Sequence, residues 1–209
     1  MTHSDDQGLV LPPKLAPHQV VIVPIYRSDE QREQVVDKAK ELKSQLEAVD
    51  IRVKLDDRDT HKPGFKFAQY ELKGVPLRIA IGPKDLEKNT VELARRDTLS
   101  KEFIQQEDLV EIVQDKLPEI QKALFQKAQE FRDEHITPVD DFDEFKKVLE
   151  EKGGFLSAHW DGTQETEDKI KELTKATIRL IPFDENPESG NCVLTGEPSQ
   201  QRVLFAKAY

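Results

Sequence analysis

The chain has 209 residues, of which 31 are Lys or Arg and 41 are Asp or Glu, so its formal net charge is −10. Hydrophobic residues make up 36% and charged residues 34% of the chain, which is typical of a globular protein with one large or two small cores. The longest apolar run, from residue 20 to residue 25, is far shorter than the roughly 20 residues that cross a bilayer. The single cysteine, Cys192, excludes an internal disulfide and any pair of cysteine ligands for zinc.

The first six residues, MTHSDD, contain neither a basic segment nor an apolar segment. We therefore expect no secretory signal, no membrane partner and a cytoplasmic location.

The predicted elements alternate between strands and helices in short steps, with residues 1–17 forming a turn-rich lead-in. Up to residue 134 they are a strand at about 19–25, a helix at 29–48, a strand at 51–55, a helix at 65–73, strands at 75–81 and 90–94, and a long helix at 107–134 that Pro118 interrupts. The rest are a helix at 141–152, a strand at 155–159, a helix at 165–175, a strand at 177–183, a loop at 184–200 and a strand at 202–207. This pattern predicts an α/β (α+β) fold, with a layered first domain and a second, smaller α/β domain.

The excess of acidic residues lies in the second half of the chain. Residues 18–100 hold 16 basic and 15 acidic side chains, whereas residues 101–209 hold 14 and 24. Because affinity for phosphates comes mainly from Lys and Arg, such a chain is a poor nonspecific binder of DNA or RNA. Any nucleic-acid contact is therefore expected in the near-neutral first half, and the acidic half is interpreted as a solvated surface.

Several kinds of site are absent from the sequence. There is neither a GxGxxG nor a Walker loop to hold a nucleotide phosphate. Asp56 and Asp57 follow a predicted strand without further acids on the neighbouring strand, so they are interpreted as solvated loop acids rather than a magnesium site. His61 and His159 form no motif with a nucleophile and are interpreted as surface or structural residues rather than catalytic ones.

Two pairs of charged residues have the chemistry needed to recognise guanine. Its Watson–Crick edge combines an acceptor, O6, with two donors, N1–H and N2–H, so reading it requires a cation beside a carboxylate. Lys84 and Asp85 supply such a pair directly after the Gly82-Pro83 turn, and Glu71 and Arg78 could supply another. Two alternatives stay open, namely an ordinary salt-bridged surface and a role for Asp85 in capping a short helix that begins near Leu86.

Five segments closely resemble the C-terminal part of prolyl-tRNA synthetases, in the archaeal and eukaryote-like subtype that carries an extra C-terminal domain. They are DDQGLVLPP at 5–13, PGFKF at 63–67, ELKGVPLR at 71–78, IGPKDL at 81–86 and VLFAKAY at 203–209. The resemblance covers essentially the whole chain. It implies three regions: a tail of the class II catalytic domain at 1–17, an anticodon-binding domain with a mixed sheet flanked by helices at 18–128, and the C-terminal synthetase domain at 129–209.

The resemblance also implies a function. The whole enzyme would activate proline with ATP and magnesium and transfer it to tRNA, as a homodimer. The three class II motifs are not in this sequence, so we expect a fragment of the enzyme with no catalytic residue. Met1 is then expected to correspond to an internal methionine of the whole enzyme. The fragment is expected to bind the anticodon stem-loop of proline tRNA. Proline anticodons carry guanine at tRNA positions 35 and 36, and the family's contacts fall on Glu71, Arg78, Lys84 and Asp85. Arg58, Lys66 and Arg96 are supporting candidates for backbone or stacking contacts.

The C-terminal domain of this family often binds zinc through four cysteines. The matching positions here are Asp161, Thr166, Cys192 and Thr195, and threonine is not a zinc ligand, so we expect no zinc. Packing is expected to hold the region instead, with Trp160, Ile170, Ile178 and Ile181 as core candidates. In the family the terminal tyrosine reaches back toward the active site, and Tyr209 matches it.

One alternative function from a different class stays open: the chain could be a non-enzymatic interaction module that binds a protein partner through its acidic half.

Overall fold

The computed structural model describes residues 3–183 and 187–207, and the chain divides into two compact units, residues 1–128 and 129–209. Within the described ranges, no helix is long and apolar enough to cross a membrane.

The first unit is built on a mixed sheet. The elements that begin in it are β1 (Ser4–Asp5), β2 (Gly8–Leu9), β3 (Val20–Pro24), α1 (Asp29–Glu47), β4 (Val53–Leu55), α2 (Pro63–Leu72), β5 (Leu77–Ile81), α3 (Pro83–Lys88), β6 (Thr90–Arg95), β7 (Lys101–Gln105) and α4 (Leu109–Glu134). The sheet has the order β4-β3-β5-β6-β7, in which β4, β3 and β5 are parallel and β6 and β7 are antiparallel. The mixed sheet with flanking helices confirms the predicted fold class.

Helices α1 and α4 cover one face of this sheet. The Ser28 hydroxyl accepts the Gln31 backbone N–H at the start of α1, and the buried residues Val35, Ala39, Leu42 and Leu46 recur at helical spacing. They join one core with β3 and β5, which are buried along their whole length, as expected of strands covered on both faces.

Helix α2 packs on the opposite face of the sheet. Its residues Phe67 and Tyr70 contact Val21, Val23 and Val75 in a small second core. The helix contacts β3 and the N-terminal strand β2, whereas Phe103 on β7 is 69% exposed. The part of this face formed by β6 and β7 is therefore open to solvent at Phe103.

The ribbon formed by β1 and β2 lies against the C-terminal end of α2. Gly74, with a φ of +69°, ends that helix, and a Cβ there would lie 2.7 Å from the Leu9 backbone. A Cβ on Gly8 would lie 2.6 Å from the Leu72 Cα. Glycine is therefore required on both sides of this contact, because the two backbones approach too closely for a side chain.

Several features of the first unit differ from the sequence-based predictions. Strand β7, which has one buried residue, Ile104, and the short strands β1 and β2 were not predicted, and helix α3 begins at Pro83 rather than near Leu86. Pro118 lies inside the continuous helix α4 and does not split it.

The second unit is a smaller α/β structure. Its elements are β8 (Ile136–Pro138), α5 (Phe142–Glu151), β9 (Phe155–His159), α6 (Gln164–Thr174), β10 (Ala176–Leu180), β11 (Gly190–Asn191), β12 (Pro198–Ser199) and β13 (Arg202–Lys207). The four-stranded sheet has the order β10-β13-β9-β8, and β11 pairs with β12 in a separate ribbon.

The core of the second unit includes Phe145, Leu156, Ile170 and Phe205. Ile170 is fully buried, as predicted, and Trp160 and Ile178 pack partly buried against this core. The prediction for Ile181 is wrong: β10 ends at Leu180, and Ile181 follows it with 41% of its surface exposed.

Candidate nucleic-acid interface

Lys84 and Asp85 lie in the first turn of α3, directly after the carboxyl end of β5. The carboxyl ends of the parallel strands β3, β4 and β5 share one edge of the sheet, where ligands commonly bind in α/β folds. Arg58 follows β4 and so belongs to the same edge. The structure thus places these three predicted contact residues at one edge of the first unit.

Asp85 has a structural role as well as a predicted functional one. Its Oδ2 accepts the Gly82 backbone N–H at 2.8 Å, which satisfies a donor at the start of a helix that begins at Pro83, not near Leu86. The other oxygen, Oδ1, makes no hydrogen bond within the described residues, and Lys84 is exposed without an ion pair there. One carboxylate oxygen and one ammonium group are therefore available to a ligand.

Arg78 lies on β5, on the face that α2 partly covers, and is only 4% exposed. Its guanidinium carbon lies 3.7 Å from the centroid of the Phe67 ring, and its Nη1 donates to Glu92 Oε1 at 3.0 Å. The Nε and Nη2 atoms are buried without a hydrogen-bond partner in the described structure. Because an unpaired buried donor is costly, this side chain is a strong candidate for a ligand contact.

Glu71 lies near Arg78, since both residues line one narrow cleft between α2 and the sheet. Its carboxylate is half-buried and has no hydrogen-bond partner within the described residues. The structure therefore brings this predicted carboxylate–guanidinium pair together.

Arg96 and Lys66 are engaged inside the unit. The Arg96 guanidinium, 3% exposed, donates to both carboxylate oxygens of Asp5 and to the Glu71 backbone carbonyl. Lys66, 2% exposed, donates from Nζ to the Asp56 carbonyl at 3.0 Å and lies 3.7 Å from Asp56 Oδ1. These internal pairs leave neither cation on the surface, so we do not include the two residues in the proposed interface.

Asp56 is a buried ion-pair partner, so its interpretation as a solvated loop acid is wrong. It is 1% exposed, and Arg58 donates to both of its oxygens, from Nε at 2.8 Å and from Nη2 at 2.6 Å. Burial alone would raise the pKa of Asp56, but hydrogen bonds from Arg58 and the charge of Lys66 lower this pKa to about 2. Arg58 is thus held in place at the edge while its side chain stays 43% exposed.

Sequence reasoning missed two residues of this region, Glu92 and Phe103. They face each other across β6 and β7, on the same side of the sheet as Arg78. Alternation in KEFIQ at 101–105 was the only available signal, and it is weak because a single residue of the strand is buried.

In the second unit, three of the four positions that match zinc ligands are joined by hydrogen bonds. Asp161 Oδ2 accepts from the Thr166 hydroxyl at 2.7 Å and from the Thr195 hydroxyl at 3.0 Å. Its Oδ1 accepts from the backbone N–H and the hydroxyl of Thr163, at 3.0 and 2.8 Å. Burial alone would raise the pKa of Asp161, but these hydrogen bonds lower it to about 2.

This set of residues does not fit a structural zinc ion. Such an ion takes four Cys or His ligands, sometimes with a carboxylate, whereas here two of the four positions are hydroxyls that already donate to Asp161. Cys192 is buried at the start of a turn in which its carbonyl accepts the Gly196 N–H. No group of three or more His, Cys, Asp or Glu residues suited to a metal occurs in the described ranges. Tyr209 lies outside the described residues.

Comparison with known proteins agrees with the division into two units. Residues 19–116 match the family described as "Anticodon binding domain", and residues 142–209 match "Prolyl-tRNA synthetase, C-terminal".

Similar proteins are proline–tRNA ligases. That of Christiangramia forsetii is 68% identical over 209 residues, that of Flavobacterium johnsoniae 65% and that of Porphyromonas gingivalis (strain ATCC 33277) 58%. The matches cover 100% of this chain and 42% of each ligase. The chain therefore contains one segment that matches the anticodon-binding domain family and one that matches the C-terminal domain family of prolyl-tRNA synthetases, and it spans less than half the length of these ligases.

Proposed function

We propose that this chain is the tRNA-binding C-terminal region of a proline–tRNA ligase and that its first unit reads G35 and G36 of proline tRNA. The observation that carries this proposal is Arg78, whose buried guanidinium lies on Phe67 and keeps two nitrogens without a partner in a domain of the anticodon-binding family. The relatives and the C-terminal domain match support the assignment to proline tRNA.

Lys84 and Asp85 would read one of the two guanines. The Lys84 ammonium donates to O6, and the free Oδ1 of Asp85 accepts from N1–H and N2–H. Adenine lacks both the O6 acceptor and those two donors. The hydrogen bond from Gly82 to Oδ2 holds the Asp85 carboxylate in place, so little rotamer entropy is lost on binding.

Glu71 and Arg78 would read the other guanine. The free nitrogens of Arg78 can donate to the base acceptors O6 and N7, and the Glu71 carboxylate can accept from the base N–H groups. Binding would then satisfy buried donors that are unpaired in the free protein, which favours guanine over a base without matching acceptors. Arg58 at the sheet edge is a supporting contact for the RNA backbone.

The similarity to proline–tRNA ligases also supports a proposal for the whole enzyme. The whole ligase would activate proline with ATP and magnesium in a catalytic domain joined to this region, form a homodimer and act in the cytoplasm. The match of residues 142–209 supports the subtype with an extra C-terminal domain. The C-terminal Tyr209 would be directed toward the active site in that catalytic domain. No catalytic motif lies in this chain, so we propose that it has no activity of its own. Because two of the four positions that match zinc ligands are threonines, we also propose that it takes no zinc.

A binding comparison tests the proposal. Unmodified proline tRNA is titrated with the chain, beside two transcripts in which G35 or G36 is replaced by adenine. We expect each replacement to weaken binding roughly 5- to 100-fold, since one good bidentate base contact contributes about 1–3 kcal/mol. Binding should also weaken as salt increases, because phosphate contacts release counterions.

Equal affinity for all three transcripts would contradict the proposal. Equal affinity together with saturable binding of a protein partner through the acidic half would favour the alternative, a protein-interaction module.

A further inference from the structure

In the first unit, the open part of the sheet carries two residues, Glu92 and Phe103, that take no part in the guanine contacts proposed above. Register places Arg78, Glu92 and Phe103 on the same face of three consecutive strands, β5, β6 and β7. Residues on this face alternate with Leu93 and Ile104, which point into the core on the other side. We name the exposed surface beside the buried Arg78 the open face and define it by Glu92, Lys101, Phe103 and Gln105.

Phe103 is the aromatic residue of this face. It is 69% exposed, and it takes part in no aromatic or cation–π pair within the described part of the chain. Burying a phenylalanine side chain is worth about 1.5–3 kcal/mol, so leaving it in water forfeits stability unless a ligand covers it. A flat exposed ring in the middle of the edge strand β7 is also a surface on which a nucleic-acid base can stack.

The neighbours of Phe103 supply hydrogen-bonding groups of both kinds. Glu92 is its direct cross-strand partner, with Cβ atoms in such pairs about 4.5–5.5 Å apart. The Glu92 side chain, 25% exposed, pairs with Arg78, whose two unpartnered nitrogens remain donors. The Glu92 carboxylate, an acceptor, therefore lies beside the exposed Phe103 ring, and the free donors of Arg78 lie next to Glu92. Lys101 adds a positive charge on the same strand as Phe103.

We propose that Phe103 is a stacking platform for one base of the anticodon loop, with Glu92 as an acceptor for the same RNA segment. This inference rests on the proposed function and adds a contact beyond the guanine edges. A single-stranded RNA base is the occupant that fits, because it offers both a flat ring and polar edges, whereas an apolar protein segment would leave the free donors of Arg78 unpaired.

The test uses the full chain and an RNA stem-loop that carries the proline anticodon. Phe103→Ala should weaken binding roughly 5- to 100-fold, the range for loss of one base–aromatic stack. Phe125→Ala is the matched control, since Phe125 is 66% exposed on α4 and that helix packs on the other face of the sheet. Both variants should keep the melting temperature of the parent chain, because both remove exposed side chains.

A second measurement identifies the base. Stem-loops with an abasic nucleotide at each loop position are titrated with the parent chain and with Phe103→Ala. The loss caused by Phe103→Ala should disappear for one abasic position and persist at the others. Phe103→Trp should retain the affinity, and its indole fluorescence should be quenched on binding, measured as the difference from the parent chain.

The outcomes distinguish a failure of the proposed function from a failure of the stacking contact alone. If the parent chain does not bind the stem-loop, the proposed function fails and this inference fails with it. If the parent chain binds and discriminates guanine but Phe103→Ala binds equally well, the inference alone is wrong. It is also wrong if no abasic position absorbs the loss, or if Phe103→Ala abolishes self-association of the chain without changing its affinity for RNA.

Discussion

Asp85 joins a structural contact and a proposed recognition contact in one side chain. Its Oδ2 is bonded to the Gly82 N–H, whereas Oδ1 has no partner within the described residues. Replacing it with alanine removes both contacts at once and loses about 1 kcal/mol of helix capping. An asparagine separates the two, because its amide oxygen can still accept from Gly82 while its amide nitrogen is a donor where guanine requires an acceptor.

We therefore expect Asp85→Asn to keep the melting temperature of the parent chain and to lose its preference for guanine over adenine at the contacted position. The loss should be about 1–3 kcal/mol for the guanine transcript. Asp85→Ala should show the same loss together with a lower melting temperature. Glu150→Gln, a change at an exposed acid in the second unit, is the control and should leave affinity unchanged or slightly higher. Unchanged discrimination in Asp85→Asn would assign this residue to capping alone.

Sequence alone identified charged residues in the motif segments but not which of them are accessible. Lys66 and Arg96 are cations, as Lys84 and Arg78 are. Lys66, however, forms an internal ion pair with Asp56, and Arg96 forms one with Asp5. These partners lie 10 and 91 residues away in the chain, so no local pattern indicates the pairing. Asp56 was misread for a different reason: its partner Arg58 is only two residues away, but its position after a strand did not show that its side chain is buried.

At the level of elements, long periodic or fully buried segments could be predicted. The continuous apolar strands β3 and β5 and the helical repeat of α1 fall within a few residues of their predicted bounds. Segments without a buried stripe could not: β7 has one buried residue and β8 has three residues. Because β7 carries Phe103, the missed strand also concealed the open face.

Asp161 and the threonines that donate hydrogen bonds to it form a cluster, which we call the Asp161 cluster. It holds the turn at 193–195 next to the start of α6. All four hydrogen-bond positions of the carboxylate are filled, by Thr163, Thr166 and Thr195. The folded-state pKa of Asp161 lies below its ordinary value of 3.8, at about 2. The cluster therefore stabilises the unit at pH values above about 4, and this contribution is lost as the pH falls through about 2.

We expect Asp161→Asn to destabilise the second unit by roughly 1–3 kcal/mol at pH 7, because one amide oxygen cannot accept all four donors. The difference from the parent chain should shrink as the pH falls from 4 toward 2. Trp160 is the single tryptophan of the chain and adjoins the cluster, so its fluorescence reports the unfolding of this unit. Glu172→Gln, at an exposed position on α6, is the control and should leave the unfolding curve unchanged.

The same samples test for zinc. If hydrogen bonds replace the metal, a chelator should not change the fluorescence-detected unfolding curve. One zinc per chain by elemental analysis, together with destabilisation by the chelator, would show that other residues bind the metal.

For the whole molecule, recognition and catalysis are expected to be separate. The chain spans 42% of the length of its proline–tRNA ligase relatives and has none of the class II motifs. We expect the purified chain to bind proline tRNA but to give no proline-dependent exchange between ATP and pyrophosphate, measured beside a full-length ligase as a positive control. Exchange that follows the chain through successive purification steps would contradict this separation.

The glycine contact between the N-terminal ribbon and α2 limits where a minimal RNA-binding domain can begin. The anticodon-binding family match begins at residue 19, but Arg96 is bonded to Asp5 and also holds the Glu71 carbonyl. A truncation at residue 19 would uncover the end of α2 where Leu72 and Leu9 now meet the two glycines. It would also leave a buried guanidinium without its carboxylate, directly beside a proposed base-reading residue. A minimal domain that keeps Asp5 therefore has to start at or before this residue, fourteen or more residues ahead of the family boundary.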